Sequence, residues 1–576
     1  MASGIDALLG VEVERNAECA MRDGTVLRAD IYRPLGGGIH PVLLIRLPYD
    51  KLAADSNFGY SHPSWYARQG YLVVVQDTRG RYTSDGGFTP FLHEAEDGYD
   101  TIEWAAALPG SNGRVGMYGF SYPGLVQLLA AAEQPPSLVT ICPAFTGAQA
   151  YEGWTYNQGA FALAFAAPWA AFLALDGARR TGDEDGLNQL LGALGNAHGL
   201  YWALPFDAWP PALERHAPYF SEWLDHPTYD DYWRRFSIDA AYDRIRVPAL
   251  HIGGWYDAFL TGLVQNFVEL SRQSGRPQKL VIGPWYHIDW APVDWPGNPD
   301  DGAAGSAGWR AVDAWQLRWF DRFLKEDEET STGSAVSVYV LGEGWREFDA
   351  WPPSIAQEQQ LFLHSGGSAN SSQGDGVLSS ARPGNERPDV YVYDPLGVTP
   401  RTGGHSCCVP SAAPMGPTCQ SAAETAKTML VYTSAPLERE ISLIGDVRAT
   451  LFAASSAVDT DFAVRLCVVD VDGCSRNLQE GIVRARSRDS LSDPTPIVPG
   501  EVYRYEIGLG PVGVRVRAGE RLRVDVASSD FPQWDRNLNS GGEIGRERAQ
   551  AAVVATQVVL HDVEHPSSIT LHVLDA

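Results

Sequence analysis

One stretch constrains the fold of this chain more than any other: Val115-Gly116-Met117-Tyr118-Gly119-Phe120-Ser121-Tyr122-Pro123-Gly124. An apolar run stops at a serine set among glycines. It then opens onto Leu125-Val126-Gln127-Leu128-Leu129-Ala130-Ala131, so the whole reads as strand, sharp turn and helix. Such a turn holds its serine at strained backbone angles and lifts the hydroxyl clear of the sheet, and small flanking residues let strand and helix pack closely enough to make it. Ser121 is therefore a candidate nucleophile at an elbow. The common elbow pattern is Gly-x-Ser-x-Gly, whereas here Pro123 replaces the second glycine and Gly124 follows. Taken alone, the hexapeptide also suits a glycine-rich turn carrying an ordinary serine.

A chain of 576 residues exceeds what one core can organise and implies roughly three or four domains. A hydrophobic fraction of 44% with 18 Trp describes large buried surfaces and excludes a disordered chain. The formal charge of -27 repels phosphate backbones and anionic membrane surfaces, so neither nucleic acid nor membrane is an expected partner. The segment Met1 to Asp6 lacks a basic region followed by an apolar core, so no signal peptide is expected and the location is read as cytoplasmic. The longest uncharged run, Gly159 to Leu175, contains Pro168 and is shorter than a membrane span, which favours a buried helix. The seven cysteines form no paired CxxC clusters, and Cys407, Cys408 and Cys419 near His405 do not match structural-zinc spacing. No metal and no cofactor are expected. Cys467 and Cys474 flank a turn at Asp472-Gly473, and whether they pair is open.

Taken in order, residues 11 to 34 suggest an opening hairpin around Asp23-Gly24. The apolar runs Val42 to Leu47 and Leu72 to Val75 are too short for helices and read as strands buried on both faces. With the helical segment Glu96 to Ala107, the elbow and a further strand at Leu138 to Cys142, they indicate a doubly wound parallel α/β sheet. From about Tyr151 to Phe236 the chain turns rich in Ala, Leu and aromatics, including Trp154, Trp169 and Phe172, and reads as an inserted helical cap. Strands resume at Val247 to Gly254 and Lys279 to Pro284, and Trp315 to Lys325 closes the unit as an amphipathic helix. Beyond about Ser337, short β-branched runs such as Val338 to Leu341 and Arg521 to Val526 mark an all-β domain, a sandwich or jelly roll. The expected division is 1–145 and 241–336 for the α/β core, 146–240 for the cap and 337–576 for the β domain.

A nucleophilic serine needs a base within hydrogen-bond reach and a carboxylate to orient that base. In the α/β-hydrolase arrangement the acid and then the histidine follow the serine, each on a loop after a later strand. Asp257 follows the strand ending Gly253-Gly254-Trp255-Tyr256, and His287 follows the strand ending Gly283-Pro284-Trp285-Tyr286. Both fall at the carboxyl edge of the sheet, where Ser121 already lies. His251 sits inside a strand and reads as a core residue. Asp289 competes as the acid but shares the loop of His287, so Asp257 is preferred.

These pieces resemble the cocaine esterase and X-Pro dipeptidyl-peptidase family of serine hydrolases. The matching segments are Met21 to Gly24, Asp30 to Pro34, Leu47 to Lys51, Gln76 to Arg81, Glu96 to Asp100, the elbow, Gly254 to Asp257, Gly283 to His287, Ser528 to Pro532 and Arg536-Asn537. They cover nearly the whole chain in the order of the family, whose elbow, Gly-x-Ser-Tyr-x-Gly, accommodates Pro123. The resemblance implies Ser121 as nucleophile, His287 as general base and acid, and Asp257 as the orienting carboxylate. It also implies an oxyanion hole made by the Tyr49 hydroxyl and the backbone N–H of Tyr122. A tyrosine at the end of the Val42 to Leu47 strand can donate to a developing alkoxide from the side opposite the elbow. Asp77, Arg79 and Asp97 read as structural ion pairs beneath the site.

The resulting expectation is a cofactor-independent serine esterase acting on a small-molecule ester through an acyl-enzyme. Amide hydrolysis, by an acylase, an α-amino ester hydrolase or a dipeptidyl-peptidase, is the alternative; carbohydrate binding through the β domain is a reading of another class. A homodimer is left open. Expected pocket residues are Trp154, Trp169, Phe259 and Leu260, with Cys407 reaching the site on the Gly403 to Cys407 loop that the resemblance brings over from the β domain. Because Ala258-Phe259-Leu260 after Asp257 offers no counter-charge for an amine, a neutral aromatic or short aliphatic acyl group is expected, unless Glu152 substitutes.

Overall fold

Alternating side chains explain the central sheet. Val42, Leu44, Val74 and Met117 face one side, packing with Ile102, Leu125 and Val126, while Leu43, Ile45, Val73 and Val75 face the other with Tyr66, Trp319 and Phe320. The computed structural model describes residues 10–53, 59–206, 209–288, 290–299, 308, 311–400 and 402–575. The hairpin β1 (Val11–Ala20) and β2 (Val26–Pro34) comes first, then β3 (His40–Leu47), β4 (Leu72–Asp77), β5 (Ser111–Phe120) and β6 (Leu138–Ala144). A two-stranded hairpin, β7 (Tyr156–Asn157) and β8 (Ala160–Phe161), precedes β9 (Ala249–Tyr256), β10 (Gln278–Tyr286), β11 (Val336–Val340) and β12 (Gly344–Phe348). Ten of these form one sheet in the order β1-β2-β4-β3-β5-β6-β9-β10-β11-β12. From β4 through β11 neighbouring strands are parallel. The helices α1 (Pro63–Arg68), α2 (Glu94–Ala106) and α3 (Tyr122–Ala132) connect the first strands.

Between β6 and β9 the chain is helical, as its composition suggests: α4 (Leu163–Thr181), α5 (Glu184–Gly195), α6 (Ala197–Tyr201), α7 (Pro211–His216), α8 (Tyr219–Asp225) and α9 (Asp231–Arg234). The uncharged run falls mostly on α4, with Pro168 inside it. Trp154 and Trp169 are buried there, but Phe172 is 46% exposed. The helices α10 (Leu260–Gln273) and α11 (Ala311–Leu324) complete the first unit, α11 where an amphipathic closing helix is expected. No helix among the described residues is long and apolar enough to cross a membrane.

An eleven-stranded sheet occupies the chain from Gln357 to Asp575. Its pairs are antiparallel except Val377–Ser379 with Leu430–Ser434. The run Val338 to Leu341, read from sequence as the start of the all-β part, behaves differently. It forms β11 and hydrogen-bonds in parallel to β10 (Leu280↔Val336, Ile282↔Val338), so the first sheet continues past residue 337 to Phe348. Periodicity could not reveal this, because a β-branched run suits either sheet. Cys474 pairs with Cys419 and not with Cys467, which keeps a buried thiol; Cys407 and Cys408 form an adjacent disulfide.

The elbow has the expected geometry. Ser121 has φ 64° and ψ -127° between β5 and α3. Gly119 has φ +143°, and a Cβ there would meet Pro123 Cβ at 2.5 Å; a Cβ at Gly124 would meet Thr146 Cβ at 2.6 Å. Pro123 costs nothing in the first helical turn, where a backbone N–H has no intrahelical acceptor. Gly119→Ala should therefore cost about 1–3 kcal/mol through backbone strain and contact, read as a lowered thermal unfolding midpoint. An unchanged midpoint would show that the turn tolerates a side chain.

Candidate active site

Parallel pairing places the acid and base loops side by side. Tyr256 and Tyr286 are register partners at the ends of β9 and β10, and the residues that follow these strand ends are Asp257 and His287. His287 Nδ1 lies 2.7 Å from Asp257 Oδ1, and His287 Nε2 lies 3.1 Å from Ser121 Oγ. With Nδ1–H donating to the carboxylate, Nε2 is left to accept the serine proton. Asp257 Oδ1 also accepts from the Phe259 N–H at 3.2 Å. Asp257 and His287 are 1% and 2% exposed and Ser121 7%, so the chain is shielded from water but reachable at the serine. The alternative acid, Asp289, lies outside the described residues.

Tyr49 follows β3 and stands across from the elbow. The Trp169 indole N–H donates to its oxygen at 3.0 Å, and Ser121 is another of its hydrogen-bonding neighbours. Burial raises the Tyr49 hydroxyl above the ordinary phenol range and keeps it a donor. The turn holding it is fixed from below. Asp50 has φ 75°, the Lys51 N–H donates to Asp77 Oδ1 at 2.7 Å, and Lys51 Nζ donates to Asp77 Oδ2 at 3.1 Å. Asp77 thus pairs with Lys51, while Arg79 pairs with Asp97 at 2.6 Å, which matches their reading as structural ions.

Tyr122 is the first residue of α3, where backbone N–H groups have no intrahelical acceptor. Its side chain anchors it. The hydroxyl donates to Glu94 Oε1 at 2.7 Å and accepts from the Phe91 N–H, and Arg46 Nη1 donates to Glu94 Oε2 at 2.6 Å. Burial raises the Glu94 carboxyl above its ordinary value, with Arg46 opposing. Sequence reasoning missed both Glu94 and Arg46, since one begins a helix and the other interrupts a buried strand. An arginine in that apolar run was the available signal, because a charge there needs a partner.

The expected pocket residues divide. Phe259 stacks on Trp154 with centroids 4.2 Å apart and meets the His287 ring edge-on at 5.0 Å. Trp169 stacks on Phe165 beside Tyr49. Cys407 is fully buried in the same apolar cluster as these rings. Leu260 packs instead with Trp255 and Tyr256. A cavity of about 230 Å³ is lined by Trp154, Phe165, Phe259, Leu260, Asp257 and Glu152 among others; Trp169 and Cys407 do not line it. His251 is fully buried, bonds Gln278 Oε1 at 3.1 Å through Nε2, and is pushed down to about 4 by burial, in keeping with a core residue. The one group of potential metal ligands found among the described residues is Glu424, Cys467 and Asp525, with Arg523 already paired to Glu424.

The X-Pro dipeptidyl-peptidase (S15 family) profile matches residues 23–289, and the X-Pro dipeptidyl-peptidase C-terminal non-catalytic domain matches residues 329–570. Cocaine esterase from Rhodococcus sp. is 34% identical over 578 residues, covering 98% of both chains. The chain belongs to the family of cocaine esterase and the X-Pro dipeptidyl-peptidases. Two solved structures share its fold: an aminopeptidase from a marine sediment Thaumarchaeota archaeon (TM-score 0.81, 24% identity) and an α-amino acid ester hydrolase (TM-score 0.78, 23% identity). Each covers 100% of this chain and 98% of its own. As a member of this family, the chain has an N-terminal hydrolase domain and a C-terminal non-catalytic all-β domain.

Glu152 accepts the Gln158 N–H at 3.0 Å and is pushed up to about 7 by burial. A carboxyl whose folded pKa exceeds its unfolded value contributes stability that is full below about pH 4.5 and lost as pH rises through about 7. Glu152→Gln should therefore gain on the order of 2 kcal/mol relative to wild type between pH 5 and pH 8. Parallel pH–stability curves for the two proteins would contradict this.

Proposed function

We propose that this protein is a serine esterase that hydrolyses small carboxylic esters through an acyl-enzyme, with no cofactor in the reaction. The observation that carries the reading is the continuous hydrogen-bond chain from Ser121 Oγ through the His287 ring to Asp257 Oδ1. Ser121 Oγ attacks the ester carbonyl carbon as its proton passes to His287 Nε2, and Asp257 stabilises the imidazolium and holds its tautomer. The carbonyl oxygen becomes an alkoxide that accepts from the Tyr49 hydroxyl and the Tyr122 N–H. Collapse breaks the bond to the leaving oxygen, which takes the proton from His287. Water then attacks the acyl carbonyl by the same route and releases the acid. The kinship with cocaine esterase supports ester substrates. In this reading residues 146–240 act as a cap over the site, and the C-terminal domain is a jelly roll.

The acyl pocket is proposed to be neutral and aromatic, with Phe259 and Trp154 as walls and Trp169 packed behind Trp154. A cationic substrate amine would need a carboxylate, and burying one without it is expensive. Phe259 and Leu260 stand where a counter-charge would follow Asp257. Glu152 is engaged by Gln158 and is raised to about 7, so only about half of it is ionised near neutral pH, and Glu480, which lines the same cavity, is already paired with His405.

Ser121→Ala should lower ester turnover by up to on the order of 10⁶, because nucleophile and base act as a unit; near wild-type turnover would refute the elbow as the site. Tyr49→Phe should lower kcat by roughly 10²–10³ with little change in KM. An unchanged kcat would remove Tyr49 from the oxyanion hole. Substrate choice is tested by kcat/KM for a neutral aryl ester, the matching α-amino ester and an Xaa-Pro anilide. The neutral ester should lead, and a tenfold advantage for either amine-bearing substrate, about 1.4 kcal/mol, would overturn the neutral pocket.

A further inference from the structure

The C-terminal domain reaches the ends of both strands that carry the proposed acid and base. It does so with the loop containing His405. His405 is 8% exposed, and its two ring nitrogens face two acceptors: Nε2 lies 2.6 Å from the Trp255 carbonyl oxygen and Nδ1 lies 3.0 Å from Glu480 Oε1. The His405 backbone N–H donates to the same Glu480 oxygen at 2.6 Å. Trp255 is two residues before Asp257, so the imidazole grips the backbone just ahead of the acid. The His405 ring also stacks on Tyr256, with centroids 5.3 Å apart. Tyr256 in turn donates its hydroxyl to the Asn477 carbonyl at 2.8 Å.

The same loop touches the base side. Gly404 and Gly416 pair backbone to backbone, each N–H donating to the other's oxygen at 2.9 Å. Gly416 lies so close to Tyr286, the residue before His287, that a Cβ would meet a ring carbon at 2.3 Å. At Gly404, with φ +101°, a Cβ would meet Glu480 Oε1 at 2.4 Å. Both glycines are therefore required by close approach. Asn477 ties the loop's far end by donating to the Gly416 carbonyl at 3.2 Å and accepting from the Thr418 N–H at 2.8 Å, and Cys419–Cys474 links it covalently to the residue before the strand Ser475–Arg484.

We infer that His405, backed by Glu480, is a positioning residue for catalysis: the β domain sets the spacing of the β9 and β10 ends and so holds Asp257 and His287 in line with Ser121. This rests on the proposed roles of those three residues. Hydrogen-bond reach between acid, base and nucleophile is short-ranged, and a displacement of about 1 Å can cost on the order of 10²-fold in rate. A buried contact that merely stabilised the domain interface would lower the unfolding temperature and leave turnover of the folded enzyme intact. His405 and Glu480 also line the cavity, so an unchanged KM separates positioning from direct contact with substrate, and an unchanged kcat separates it from a merely structural role.

The experiment compares His405→Ala and Glu480→Gln with wild type on a neutral aryl ester, at a temperature where all are folded by circular dichroism. For His405→Ala, kcat and the second-order rate of Ser121 labelling by a fluorophosphonate should both fall by at least about tenfold, with KM within about twofold. Added imidazole, entering the space left by the ring, should restore part of the kcat of that variant and leave wild type unaffected. Glu480→Gln, which keeps the side-chain shape, should lower kcat in the same direction. Unchanged kcat and labelling in His405→Ala, with only a lowered unfolding temperature, would overturn the inference. If His405→Ala does not fold, an unchanged kcat in Glu480→Gln overturns it. A Ser121→Ala control separates the two claims, because full activity there would refute the nucleophile assignment and not the clamp.

Discussion

A serine held at positive φ costs on the order of 1–3 kcal/mol, and the architecture around Ser121 is what sustains it. The Ser121 N–H is taken up by the Ala144 carbonyl at 2.9 Å, and its own carbonyl accepts from Thr146 Oγ1 at 2.8 Å, so the strand after the elbow clamps the turn from both sides. Gly119 and Gly124 supply the close approach, and the fully buried α3 ties the turn to the sheet. Once the serine is fixed, parallel β9 and β10 must end at matching heights for Asp257 and His287 to reach it. Their register, with Tyr256 opposite Tyr286, provides that.

The second half of the site is held by buried polar networks. Tyr122 is fastened through Glu94 to Arg46, and Tyr49 through its turn to Asp77 and Lys51. Paired ions of this kind are weak evidence for stability, but breaking one partner leaves an uncompensated buried charge. They set the geometry of Tyr122 and Tyr49, the proposed oxyanion donors. The Trp169 indole plays a comparable part, since by donating to the Tyr49 oxygen it orients the phenol O–H.

Much of this was legible in the sequence because the signals were local. The elbow, the short apolar runs and the two strand ends at Tyr256 and Tyr286 each carry their meaning within ten residues. The rest was not local. The Glu94–Arg46 pair joins positions 48 apart and the Trp169–Tyr49 bond positions 120 apart, with no spacing rule to link them. His405 and Trp255 are 150 residues apart, in different domains. The placement of β11 depended on which sheet had an open edge, and that is a tertiary fact. The cysteine pairing shows the same limit: Cys467 looks well placed for Cys474 in sequence, yet the fold brings Cys419 to it.

In the proposed mechanism Ser121 Oγ is the atom that carries the acyl group, and trapping that intermediate tests it most directly. Rapid acid quench during turnover of a slowly deacylating aryl ester, followed by peptide mass mapping, should find one acyl adduct, on the peptide containing Ser121. The adduct should be lost in His287→Ala. An adduct on another residue, or turnover with no covalent intermediate under conditions where deacylation limits the rate, would contradict the account.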